Sequence, residues 1–408
     1  MKLTWLSIDI NRAAVVFLAK KIIYSGVVIC VFMELFILSN NIPIQYKFQL
    51  FGVPALNYQG GDSRNIQLAA HCYRIGEPIF GAGECMKTAG IIKAIYPEAH
   101  VPALNYPSVW VKLYSLFADD SEQFFKLFWV TNALLLVSSI FIYCFRYDYR
   151  FLPIFLFSPI TLLAIERGNT DGATFFLTFA PLLIFSRSQL LQSFFIALAS
   201  ALKIFPIFGY IAFFRNGSNA FISMRAIWGL LLSVPLLIPS FFEIPMLIDN
   251  TSKGFTYAYG MFSLQQSNLF NGHAALAKIS IAVLFLFWIA LLVLSVRSNI
   301  LSVKLNSDFD LSESLEGVDT TALLISASIF VFSFIAFTNW SYRLVFLIPV
   351  FVILAKSESS FAKIVRLNIL LIFIIPIFPK GWDIQNIACF PLAVFLSYTI
   401  YRVMLRKM

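Results

Sequence analysis

The sequence predicts an all-α polytopic membrane protein of about 11 to 12 membrane helices, one a re-entrant hairpin, with a long first external loop. Three observations carry that prediction. Hydrophobic residues make up 59% of the chain and charged ones 12%, about half the charge fraction of an ordinary soluble domain. Apolar runs of roughly 15 to 22 residues recur along the whole length, and about 20 residues span a bilayer as a helix. The runs are continuous rather than alternating, which excludes a β-barrel. The basic residues sit at the ends of these runs. The net charge of +9 therefore follows from the positive-inside rule and calls for no nucleic acid.

The first run, 22–39, follows Lys20 and Lys21, lacks a small-residue cleavage site and reads as a retained signal-anchor helix. A polar stretch, 40–124, comes next, and the further spans are 126–145, 151–165, 172–186, 190–202 with 206–214, 225–242, 276–296, 321–338, 342–355, 366–379 and 385–402. Lys2, Arg12, Lys20 and Lys21 put the N-terminus in the cytoplasm, which makes the long loop external. Arg146, Arg150, Arg187, Lys356, Lys363, Arg366 and the tail Arg402, Arg406 and Lys407 then fall inside. Residues 298–320, acidic and Ser-rich, read as a flexible cytoplasmic linker. The whole chain, 1–408, is expected to form one domain.

One stretch resists the charge rule. Arg187 and Arg215 should share a side, yet a single apolar run joins them, with Lys203 and Pro206 in its middle. Proline removes a backbone hydrogen bond and disfavours helix in the residue before it. A hairpin of two short helices bent at Lys203–Pro206, its tip on the external side, resolves the conflict; a continuous helix with a topology exception is the other reading. With the hairpin, the polar clusters all face outward.

Among those clusters, Asp62 follows Gly60-Gly61 closely after the first helix. A carboxylate there can act as a general base on an acceptor hydroxyl, and glycine lets the backbone approach a substrate; the plainer role is a helix cap. Residues 63–75 carry apolar positions at helical spacing and are expected to lie on the membrane, with His71 structural. Tyr106-Pro107 reads as a turn before another interfacial helix. Glu166-Arg167-Gly168-Asn169-Thr170-Asp171 packs three charges between two apolar helices, where a salt bridge and a cap explain part of the cluster but not all of it. Lys203 must snorkel, pair with an acid or bind an anion such as a lipid-carrier phosphate. Arg343, in Asn339-Trp340-Ser341-Tyr342-Arg343, is a second candidate phosphate contact or part of an aromatic interface belt.

Five cysteines form no metal pattern. Cys30, Cys144 and Cys389 lie in apolar runs as packing residues. Cys72 and Cys85 share the long loop and are able to pair if it faces an oxidising compartment.

The ordered set of an external-loop Asp62, Tyr106-Pro107, Arg167-Gly168-Asn169-Thr170-Asp171 and Lys203-Ile204-Phe205-Pro206 resembles the GT-C superfamily of membrane glycosyltransferases. The resemblance is closest to glycosyltransferase family 87, the bacterial polyprenyl-phosphomannose-dependent mannosyltransferases. It covers roughly residues 20–215. It implies a GT-C-like bundle with a lid of interfacial helices, in a bacterial cytoplasmic membrane with the site facing outward. It further implies inverting transfer of a sugar, mannose by family weight, from a polyprenyl-phosphate donor to a hydroxyl of a glycan or glycolipid. Asp62 matches the family's base. Lys203, with Arg167, Arg343 and Arg64, would contact the phosphate, supported by Glu166, Asn169, Asp171 and Tyr106. The chain departs from the family in three places. Ser63 stands where some members have a second acid, which favours a metal-free base and leaves a divalent metal open. The Tyr-Pro turn lacks a second proline, and Glu-Arg-Gly-Asn replaces the familiar Arg-Gly-Gln.

Two other readings stay open. A transporter or flippase of a lipid-linked glycan would need polar residues reachable from both faces and broken helices in matching halves. An O-antigen-type polymerase normally carries its large loop late in the chain.

Overall fold

A computed structural model describes residues 12–38, 43–54, 60–80, 85, 104–117, 122–213, 220–250, 258–260, 286, 317–336, 339–378 and 381–405. The expected span 276–296, apart from Leu286, and linker residues 298–316 lie outside the described residues. Helix α1 (Arg12–Met33) runs into a π turn to Leu38, followed by α2 (Ile44–Gln49), α3 (Gly61–Arg74), α4 (Ser108–Phe117) and α5 (Glu122–Tyr147). Next come α6 (Leu152–Leu156), α7 (Pro159–Arg167), α8 (Asp171–Ile184), α9 (Gln189–Leu202), a 3₁₀ segment (Phe205–Phe213), α10 (Ala220–Phe242) and α11 (Ile244–Asn250). The last part holds α12 (Gly317–Ala336), a 3₁₀ turn (Ser341–Leu347), α13 (Ile348–Leu354), α14 (Ser360–Ile374) and α15 (Gly381–Leu405). One antiparallel strand pair, β1 (Ala258–Tyr259) with β2 (Asn339–Trp340), interrupts the helices.

Among the described residues, five helices are long and apolar enough to cross a membrane, or six if the bent pair Tyr149–Leu156 and Pro159–Arg167 makes one span. That is fewer than the sequence reading has. Two expected spans are instead helices too short to cross about 30 Å of hydrocarbon alone: Asp171–Ile184 and Ser341–Leu354. The expected span 151–165 is broken and bent by 55°. Pro159 cannot continue the preceding helix, and Ser158 restarts it by accepting from Thr161 N at 3.3 Å.

At Lys203 the chain folds back on itself. The Tyr210 hydroxyl donates to Ser193 O at 2.5 Å, whereas a continuous helix would hold residues 17 apart about 25 Å from each other. Lys203 ends α9 with extended backbone (φ −155°, ψ 127°), and Phe205–Phe213 returns along α9 as a 3₁₀ rather than an α-helix.

Two other expectations change. Helix α3 does not lie with one face on the membrane. Asn65 through Ala70 are all buried, and with α4, Leu104, Ala173 and Leu202 they form a second core, separate from the main bundle core. Cys72 and Cys85 pair in a disulfide beside that core. At the other correction, α12 begins at Gly317, so the last four linker residues are helical, with Asp319 fully buried. Asp319 accepts from the Tyr147 hydroxyl (2.5 Å) and Lys356 Nζ (2.8 Å), with Arg146 at 3.8 Å. These contacts join residues that the charge rule puts on the cytoplasmic side.

Candidate functional site

The site is built by docking the start of α3 onto the end of α7. Helix α7 ends at Gly168 with left-handed backbone (φ +63°), and α3 begins after Gly60, also left-handed (φ +70°). Neither has room for a Cβ. One on Gly168 would stand 2.7 Å from Ser63 Oγ and 2.9 Å from the Gly60 Cα, and one on Gly60 would stand 2.7 Å from Phe125. The freed carbonyls at the end of α7 find donors across the dock. Gly60 N donates to Glu166 O (2.8 Å), Trp129 Nε1 to Ile165 O (2.7 Å) and the Ser63 hydroxyl to Gly168 O. Gly60 thus serves the approach of two helices. Asp62 lies in the first turn of α3, partly exposed, and Gly60 occupies the cap position, so Asp62 is not the cap.

Asn169 is the hub. Its Nδ2 donates to Asp62 Oδ2 and to the Tyr106 hydroxyl (2.9 Å). Its Oδ1 accepts from Lys203 Nζ (2.7 Å) and from Asp171 N (2.8 Å). Both amide hydrogens and both lone pairs are used, so the amide has one orientation. The Asp171 N–H contact also caps α8, whose nominal cap residue Thr170 makes no side-chain cap bond. Lys203 pairs with the fully buried Asp171, and Arg343 Nε stands 3.8 Å from the other Asp171 oxygen. Of the readings open for Lys203, pairing with an acid is the one observed.

Aromatic rings close the network. The Lys203 ammonium lies 5.0 Å from the Tyr106 ring and 5.5 Å from the Tyr342 ring, and the Arg343 guanidinium lies 5.0 Å from Phe205. Burial pushes the Tyr106 phenol well above its ordinary value, and the Asp62 charge adds to the shift. The phenol therefore keeps its proton. The strand pair holds the segment leading to Tyr342, which is buried, and Arg343, which keeps 19% of its side-chain surface, so these two do not form a surface belt.

The remaining predicted residues divide. Arg167 pairs with the buried Glu166 (3.0 Å) and reaches Pro54 O (3.4 Å). Arg167 and Arg343 side chains each keep 19% of their surface, against 7% for Lys203. Arg64 is engaged elsewhere, on Glu122 (2.6 Å), Gln67 (3.1 Å) and the Phe125 ring (3.4 Å). Asp62, Tyr106, Asn169, Asp171, Lys203 and Arg343 thus meet from five separate stretches of chain. Sequence reasoning missed Ser63, Trp129 and Tyr342 as parts of the site, and only the repeated glycines next to Asp62 and Asn169 signalled the dock. No protein-family model matches this chain, and no characterised protein matches it in sequence.

Proposed function

We propose that the protein is a membrane glycosyltransferase that moves a sugar from a polyprenyl-phosphate donor to a hydroxyl of a glycan or glycolipid. The observation that carries this reading is a partly exposed carboxylate held by Asn169, the same side chain that meets Tyr106 and Lys203, beside a cluster of two cations and one buried acid. Asp62 takes the proton of the acceptor hydroxyl as its oxygen bonds the anomeric carbon. The bond from that carbon to the phosphate oxygen breaks on the opposite face, its electron pair leaving with the polyprenyl phosphate, so configuration inverts. Arg343 and Arg167 meet the phosphate, and Lys203 adds positive potential from behind. Lys203 and Arg343 share one acid, Asp171, and the Asp62 carboxylate balances the remaining positive charge across Asn169. The Cys72–Cys85 disulfide supports placing this side in an oxidising, external compartment. Mannose and the bacterial cytoplasmic membrane rest on the family resemblance alone.

The test is transfer from radiolabelled polyprenyl-phosphate sugars in membranes carrying the wild-type chain or Asp62→Asn. Transfer that vanishes in folded Asp62→Asn supports the reading with Asp62 as base. Transfer that survives removes Asp62 from that role. Labelled product growing to long chains favours a polymerase, and no transfer across a broad donor panel moves a lipid-linked-glycan transporter ahead.

A further inference from the structure

Tyr106 reaches the network on a short strap, residues 104–108, whose two ends are tied from far along the chain. Asn250 Nδ2 donates to Leu104 O at 3.1 Å. Ser108 N, the first N–H of α4, donates to Glu243 Oε2 at 2.8 Å. That N–H has no partner within its own helix, and a carboxylate from the junction of α10 and α11 supplies one. Just beyond, Trp110 Nε1 donates to Leu202 O at 2.9 Å, beside Lys203. The strap lays the Tyr106 ring over the Lys203 ammonium and its hydroxyl on Asn169.

We infer that Glu243 and Asn250 are positioning residues, a clasp that holds the Leu104–Ser108 strap over Lys203 and so sets access to that ammonium. Each tie is a single side-chain bond at a partly buried position, and the strap between them carries the ring that covers Lys203. Releasing either tie raises the population of the open strap while the α3–α7 dock stays in place. As control of the proposed donor site the clasp rests on the glycosyltransferase reading; as a gate on Lys203 it does not.

The test reads Lys203 directly. The full chain in lipid nanodiscs is treated with an amine-acetylating reagent at fixed pH, and the rate at each lysine is measured by peptide mass spectrometry. Exposed Lys126 serves as reference. In Glu243→Leu, Lys203 should label about tenfold faster or more, the loss expected for a charge-assisted bond. Glu243→Gln keeps an acceptor for Ser108 N and should stay near the wild-type rate. Asn250→Leu should also accelerate Lys203, and it carries the test if Glu243→Leu does not fold. Lys126 should not change. A Lys203 rate unmoved in both leucine variants, or one that rises equally with Lys126, overturns the clasp. None of these outcomes depends on whether sugar transfer is found.

Discussion

Replacing Lys203 by methionine removes a buried cation while keeping most of its volume. Asp171, with no exposed surface, then loses its closest counter-charge. Breaking a buried pair from one side costs about 3–5 kcal/mol. Two features of this site argue for the lower end. Arg343 remains 3.8 Å from the second Asp171 oxygen, an attraction of about 4 kcal/mol at an effective dielectric of about 20. Asp171 also keeps its backbone bond to Asn169. Lys203→Met should therefore cost about 3 kcal/mol. Asp171→Leu should cost about 4–5 kcal/mol, because it strands the Lys203 ammonium and removes the acid from the first turn of α8. With both substitutions the pair is gone but Arg343 still loses Asp171, so the double variant should lose clearly less than the sum of the two single losses without returning to wild type. The assay is reversible unfolding in mixed micelles across the four proteins. Coupling below about 0.5 kcal/mol, the level of independent sites, would refute the buried pair. Transfer activity separates structure from chemistry: under the proposed function the double variant regains part of the stability but not transfer.

Three further outcomes follow from the same contacts. Gly168→Ala forces a left-handed alanine into Ser63, Trp129 and Gly60; unfolding measurements should show a loss of about 2–5 kcal/mol, from the backbone and overpacking together. Replacing Cys72 and Cys85 together by serine opens a crosslink of sequence separation 13 and should cost about 3 kcal/mol, while thiol counting of the unfolded, unreduced wild type should find Cys30, Cys144 and Cys389 free and the other two blocked. Tyr106 has a raised folded pKa, so above about pH 10 the unfolded phenol ionises while the folded one does not, and stability falls as pH rises. Tyr106→Phe should flatten that alkaline loss, as measured by unfolding from about pH 9 to 11; an unchanged slope would contradict the burial of the phenol.

Composition and apolar run length determined that this is a helical membrane chain, because covering a bilayer core demands about 20 apolar residues whatever they pack against. The turn at Lys203–Pro206 was legible for a similar local reason: proline removes a helical hydrogen bond whatever surrounds it, and Arg187 and Arg215 flank one apolar run. So were the helix in 63–75, from its periodicity, and the helix after Tyr106-Pro107, from the turn and the apolar stretch behind it. Their surroundings were not. An amphipathic repeat has the same spacing whether its apolar face meets lipid or protein, so only the tertiary structure placed α3 in a core of its own. The break at Ser158-Pro159 was present in the residues, yet its 55° bend depends on what the second half packs against. The site divides the same way. Asp62, Asn169, Asp171, Lys203 and Arg343 stood out as polar groups in an apolar chain. Which of them pair depends on distances between segments far apart along the chain, 107 residues between Asp62 and Asn169 and more between Asp171 and Arg343. Those distances are set by two glycines that let helix ends touch and by a strap tied to Glu243 and Asn250. No local pattern records them, because a hydrogen bond across the fold leaves no periodic trace in either partner's neighbourhood.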